Sequence, residues 1–393
     1  MKRSQFSKLL EFIILVAKIL GIVPLSFNST FGSQKKLSRI LLILKQVLCL
    51  CGIIFICWMQ FFYNCSKFRF NYLSATISSI LRTGNDISMC LGTYLISIFY
   101  ERNYRKMSVI FNNFNKIIER RVVENRKKIS IIEKIIFGMS MTFLTVILYI
   151  QFGHYFRNYK KHNFCILFSI LSLFTPTIVF SLNAMLLIDI SKRFKLLNTY
   201  LKSIIVLAYD GLTIERYKDS RKVNLLKGTE ECSKLYHMLI AVAKLVNKIF
   251  VIFIAIDFII FYCLVIFIIY YLSADDETFN GIFRSKIEMH IMLFWTLVTF
   301  MKTITITYGF NLVATEANHF NIILHSIKSN SAIHKNLVIT ISHQLNFSNT
   351  QFTVFEMFPL KWSNFFTMLG SAMMFSIFFL QLNGAKNSIL LLS

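Results

Sequence analysis

The chain has 393 residues, 55% of them hydrophobic and only 16% charged, with 41 Phe and 3 Pro. Soluble domains carry roughly 25% charged residues, and a chain this apolar has too few polar groups to cover a surface that faces water. The composition excludes a soluble enzyme, a disulfide scaffold and a disordered chain, and leaves a polytopic helical membrane protein. The net charge of +24 would suggest nucleic acid as the partner of a soluble protein. In a membrane protein the same excess gathers in cytoplasmic loops facing anionic lipid, so the positions of the charges decide.

At the N-terminus the segment Leu9–Leu20 is apolar but broken by Glu11 and Lys18. It lacks the uncharged core and small-residue cleavage site of a secretory signal. It reads as an amphipathic helix lying in the membrane interface, ended by Gly21 and Pro24. Seven apolar stretches then follow, near 40–62, 73–99, 132–153, 164–190, 249–272, 289–313 and 364–385. Each approaches the roughly 20 residues that cross a bilayer. Arg82 and Asp86 interrupt the second.

Lys and Arg are shared unequally between the segments that join these spans. Segments 1–39, 100–131, 191–247 and 314–352 carry 7, 9, 11 and 2, against 8 for all the segments on the other side. The positive-inside rule then puts the N-terminus in the cytoplasm and, with seven spans, the C-terminus outside. The expected partner of the charge is therefore the lipid bilayer and not nucleic acid. The same orientation excludes a G-protein-coupled receptor. That class also usually has an Asn-Pro-x-x-Tyr in its last helix, and here the seventh span has no proline. Of the sequons, Asn64-Cys65-Ser66 falls on an outer loop and is the candidate glycosylation site, whereas Asn28 and Asn346 fall on inner segments.

No catalytic constellation is present. The chain has no His-Glu-x-x-His, Gly-x-Ser-x-Gly or Gly-rich phosphate loop, and no Cys-x-x-Cys. The 8 His are scattered without metal-ligand spacing. No cofactor, metal or enzymatic activity is expected. The long inner segment 191–247 is helical in pattern. Ile190, Phe194, Leu197 and Leu201 share one face, and Leu235, Leu239, Val242 and Val246 another. The fourth and fifth helices are therefore expected to extend well below the membrane.

Ionisable groups inside spans are costly, and are paired or functional by default. Arg82 and Asp86, four apart, can pair on one helix face. Asp257 and Lys302 fall at similar depth on the antiparallel fifth and sixth helices, about 14–17 Å from the cytoplasmic side, and form a candidate buried ion pair. Aromatic and polar residues gather toward the outer halves: Tyr149 and Gln151, Tyr262, then His290, Phe294 and Trp295. Two readings stand. One is an interfacial aromatic belt. The other is an outward-facing ligand pocket, to which Arg82 and Asp86 would also belong.

The C-terminal stretch Phe352 to Trp362 leads into Met374-Phe375-Ser376-Ile377-Phe378-Phe379-Leu380-Gln381-Leu382. This resembles the end motif of insect gustatory receptors, which is Thr-Tyr, five mostly apolar residues and Gln-Phe. Met374, Phe375 and Leu382 stand in place of Thr, Tyr and Phe, and the spacing to Gln381 is kept. Ala17 to Pro24, Arg193 to Asn198 and the run from Leu235 to Asn247 resemble further family segments, in order. Insect odorant receptors share the architecture and are the runner-up. A metabotropic seven-helix receptor and a transporter are the more distant rivals; a transporter predicts inverted repeats.

The resemblance implies an all-α membrane protein with seven transmembrane helices and a cytoplasmic anchor domain. It implies a weakly selective cation channel in the plasma membrane of sensory neurons. Four subunits, identical or mixed with related receptors, would be opened by a small-molecule tastant. Family receptors for sugars often have Glu directly after the motif Tyr. Ser376 holds that place here, so bitter or orphan tuning is expected. Four regions follow: a tail with its pre-helix (1–39), a six-helix ligand-binding bundle (40–313), an anchor segment (314–363) and a pore helix with a short outer tail (364–393). On the last, Met374, Phe378, Gln381, Leu382 and Ala385 are the candidate pore-lining residues. Helix geometry alone allows such a face through Met374, Phe378, Gln381 and Ala385. It also allows Gln381 to bond between helices of one subunit.

Overall fold

The computed structural model of the chain describes residues 8–19, 22–24, 92–93, 95–119, 163–210, 218–272, 286–325 and 352–392, and single positions 47, 51, 54, 135, 138, 142 and 339. Apart from those single positions, the spans expected near 40–62 and 132–153 lie outside these residues, as does most of 73–99. The described residues form helices α1 (Lys8–Ile19), α2 (Glu101–Glu119, preceded by helical turns from Gly92), α3 (Asn163–Asp210), α4 (Lys218–Leu272) and α5 (Lys286–His325). A hairpin of β1 (Thr353–Val354) and β2 (Phe358–Pro359) then leads into α6 (Trp362–Leu392).

Three very long helices make the frame. With 48, 55 and 40 residues, α3, α4 and α5 measure about 72, 82 and 60 Å at 1.5 Å per residue. A bilayer core takes about 30 Å of that, so each helix continues far beyond it. Among the described residues, Lys227–Ile266 and Thr296–His325 are long and apolar enough to cross a membrane. The continuation follows from the sequence. The run that is apolar all round gives way to a single buried stripe with no helix breaker between. Ile190, Phe194, Leu197 and Leu201 on α3 and Leu235, Leu239, Val242 and Val246 on α4 are all buried in one core.

Two elements occupy segments that charge counting treats as loops. Helix α2 fills much of 100–131. Its Tyr104, Met107, Phe111, Phe114 and Ile118 recur at helical spacing and are fully buried. Helix α5 runs past 313 to His325 because Val313, Ala317, Phe320 and Leu324 continue its buried stripe. The N-terminal helix forms where expected, but its environment differs. Leu10, Ile13, Ile14 and Ala17 pack into the protein core against α3 and not into lipid. Phe12 and Leu15 are left facing outward.

Close approach fixes the alignment of the frame. A Cβ at Gly309 would lie 3.0 Å from Leu187 Cδ1, and one at Gly92 would lie 3.2 Å from the Phe253 ring. The absence of a side chain at Gly309 lets α3 and α5 meet. They run parallel, with Leu187 beside Gly309 near the membrane and Asn198 beside Glu316 further down.

Candidate pore helix and its supporting polar contacts

Helix α6 is apolar on nearly every side, yet only one side is covered by its own chain. Phe365, Ala372 and Ser376 are buried and share a face. Small Ala372 and Ser376 allow tight packing against α4, the main neighbour of α6. Lower down, Phe365 stacks on Phe261 at 5.9 Å and lies 5.9 Å from Phe300. The rest of the circumference is open. Met374 is 70% and Phe378 53% exposed, and Met373, Phe375, Ile377 and Gln381 are exposed too. Met374, Phe378 and Gln381, three of the five residues expected on the pore face, lie together on this open side. The side chains of Leu382 and Ala385 lie outside the described residues.

Ser376 faces the other way. It is fully buried, and its hydroxyl donates to the Ala372 carbonyl at 2.8 Å. The side chain at this position meets α6's own backbone on the packed side and does not reach the open face.

Of the candidate pocket residues, Tyr262 packs edge-on against Phe375 at 6.4 Å, so it touches the candidate pore helix directly. Phe294 is half-buried on α5. The side chains of His290 and Trp295 on α5 lie outside the described residues, as do Arg82, Asp86, Tyr149 and Gln151, and Asn64 with its sequon.

Asp257 is buried on α4 and accepts a hydrogen bond from Thr303 Oγ1 of α5 at 3.2 Å. Thr303 also donates toward the Thr299 carbonyl at 2.9 Å. Lys302, one residue earlier, places its Nζ 5.2 Å from the Phe180 ring centre on α3, and its charge acts on Asp257. The polar cluster thus ties α3, α4 and α5 together beside the foot of α6.

Below it, two further residues of α3 hold the helical bundle together. Arg193 is buried, donates from Nε to Asp189 at 2.7 Å and from Nη1 to Asn115 of α2, and lies 4.2 Å over the Phe111 ring. Asn198 donates to the Glu316 carbonyl of α5 at 3.0 Å and to its carboxylate at 3.1 Å. Between them Tyr236 of α4 stacks on Phe320 at 4.8 Å and meets Phe194 at 5.6 Å. Burial pushes the Tyr236 hydroxyl up to about 12 and raises the Tyr104 hydroxyl and the Cys232 thiol. All three therefore stay protonated. His237 is held below its ordinary value by burial and by the nearby Lys244. Counting charge by loop does not find this set. Two polar residues four apart at the end of an apolar run, Asp189 and Arg193, were the signal available.

The fold defined by these elements is that of a helical membrane protein whose long helices continue into a bundle beyond the bilayer. Residues 10–383 match the 7tm chemosensory receptor family, and the chain belongs to that family. It is a family of membrane receptors and not of enzymes. The fold is similar to that of the insect olfactory receptor OR5 from Machilis hrabei. In complex with eugenol that structure gives a TM-score of 0.60 at 13% identity, over 95% of this chain and 99% of the receptor. Without that molecule the same receptor gives 0.59 at 12% identity over the same shares. No curated protein sequence matches the chain.

Proposed function

We propose that this chain is a subunit of a gustatory, ligand-gated, weakly selective cation channel in the plasma membrane of sensory neurons. Four subunits, identical or mixed with related receptors, place α6 around a central pore, with Met374, Phe378, Gln381, Leu382 and Ala385 toward the axis. The observation that carries this reading is the open face of α6. An apolar helix in contact with its own chain on one side needs lipid, a neighbouring subunit or a pore on the others, and its amide Gln381 stands on the open side. Apolar rings gate by dewetting, and a ring of amides replaces part of an ion's hydration shell.

The ligand is a small organic molecule, bound in the outer half of the bundle near Tyr262 and Phe294, with Tyr149, Gln151, His290, Trp295, Arg82 and Asp86 as the other candidates. OR5 of Machilis hrabei in complex with eugenol supports this size class. Bitter or orphan tuning is favoured over sugar, because Ser376 stands where sugar receptors often carry Glu and is turned into the helix packing. A second reading, an odorant receptor subunit, draws on the likeness to olfactory receptors. Responses of the expressed chain to volatile and non-volatile panels separate the two.

The pore assignment is tested at Gln381. Gln381→Glu places up to four carboxylates around the axis, so divalent permeation or block changes while agonist potency stays within about twofold. Whole-cell currents under different cation gradients read this out, with a related subunit co-expressed where needed. Unchanged reversal potential and block in a well-expressed variant reject the pore role of Gln381.

A further inference from the structure

The outward surfaces of α2 and α4 change from apolar to cationic within about two helical turns of one another. On the α2 helix, Leu95 and Phe99 are exposed, the latter at 76%, and the next exposed residues are the cations Arg102 and Lys106. On α4, Ile252 and Ile259 are exposed, and the preceding outward positions are Lys244 and Lys248. The two helices pack together, and a Cβ at Gly92 would lie 3.2 Å from Phe253. Because they run antiparallel, each step down α2 from Gly92 is matched by a step back along α4 from Phe253. That register sets Lys248 and Lys244 level with Ser97 and Glu101, with Arg102 one step and Lys106 five steps below Glu101. Four cations from two packed helices therefore lie within nine steps, about 14 Å of helix, along the lower edge of four exposed apolar side chains, with Lys248 between Leu95 and Phe99 in height and the other three beneath Phe99.

Nearby acids do not cancel the band. Glu101 is taken by Arg105, and Glu230 by Lys234 at 2.7 Å. Among the described residues no ion pair engages Arg102, Lys106, Lys244 or Lys248. Lys195 and Lys202 are exposed as well, but they follow Arg193, which meets Asn115 far down α2. They lie well below the apolar side chains.

We propose that this band binds anionic phospholipid of the cytosolic leaflet, with acyl chains against Leu95, Phe99, Ile252 and Ile259 and headgroups on the four cations. The leaflet assignment rests on the orientation expected from the charge count; the binding chemistry does not. An apolar surface ending on a cluster of cations is complementary to a molecule that joins acyl chains to an anion. Each basic residue near an anionic surface strengthens binding by about fivefold, whereas a zwitterionic headgroup gains little.

The test uses the purified full-length protein in neutral detergent, with its melting temperature followed as phosphatidylserine, phosphatidylcholine or soluble glycerophosphoserine is added. Phosphatidylserine is expected to stabilise at a concentration at least about tenfold below phosphatidylcholine. Glycerophosphoserine, which has no acyl chains, is expected to give no shift. About 0.5 M NaCl is expected to remove the preference and keep the phosphatidylcholine effect. A variant with Arg102→Gln, Lys106→Gln, Lys244→Gln and Lys248→Gln should treat the two lipids alike. Lys195→Gln with Lys202→Gln should retain the preference. Equal stabilisation of the wild type by both lipids overturns the proposal. So does a preference that survives the four-residue variant or high salt. A shift of that variant to a smaller assembly on size exclusion would make the band a subunit contact and overturn it too. Should the variant fail to fold, the lipid comparison and salt dependence of the wild type decide. Binding in detergent is blind to orientation, so loss of the assigned topology leaves this result standing.

Discussion

Asp257 shows how a single charge is accommodated at membrane depth. Its carboxylate has a hydroxyl partner in Thr303 and a charged neighbour in Lys302, both on α5. We propose that the two charges are energetically coupled. Removing one charge of a buried pair strands the other, at about 3–5 kcal/mol. Asp257→Asn and Lys302→Met should each lower surface expression and melting temperature, and the double variant should recover part of the loss. A double-mutant cycle with strictly additive effects would show that they do not interact. Both charges were legible in the sequence, because ionised side chains stand out in apolar runs. Thr303 was not, since hydroxyls are common in membrane helices and nothing in the pattern says which one faces a carboxylate. Ser376 carried a second residue-level lesson: motif position told what it replaces, and only packing showed that it turns toward Ala372.

Among the elements, the helices were more legible than the turns. The stripe from Ile190 to Leu201 announced the continuation of α3 because apolar residues three and four apart need a buried face. The stripe from Tyr104 to Ile118 carries the same signal within a segment counted for its charge. The hairpin before α6 could not be read. Its turn places Phe355 at φ 50° and Glu356 at φ 62°, a left-handed conformation that sequence marks with Gly or Asn. The Met357 amide closes the turn on the Val354 carbonyl at 3.0 Å, and Asn247 of α4 donates to the Thr353 carbonyl at 3.0 Å. A side chain in this region costs about 1 kcal/mol relative to glycine. Glu356 is exposed, so Glu356→Gly should relieve strain without losing packing and raise the melting temperature by a few degrees. A lower melting temperature would show that the turn stores no strain there.

For the whole molecule, composition and charge asymmetry pointed to a seven-span membrane protein, and family and fold agree that it is a helical membrane receptor. Orientation is read from charge alone. An epitope before Lys2 is expected to stain only after permeabilisation, and one after Ser393 on intact cells; the reverse pattern would remove the channel proposal along with the topology. How subunits meet is not written in periodicity, because an apolar face looks the same whether it awaits lipid, a neighbour or a pore. The open face of α6 is the clearest case. Its residues were named from helical spacing and a motif, while its exposure appears once α4 and α5 are seen to cover the other side.

The unbroken run of α3 and α5 through and beyond the membrane has a consequence for how such chains can diverge. Leu187 against Gly309 and Asn198 against Glu316 are contacts at two heights of one parallel helix pair. Deleting a single residue of α3 between them would rotate everything below by about 100° and draw it up by about 1.5 Å. Arg193 would swing away from Asn115, and Asn198 from Glu316. Residue count between the two heights is therefore fixed by phase as well as by packing: matched changes in both helices that restore whole turns, near seven residues at a time, keep the faces in register, and a single-residue change in one does not.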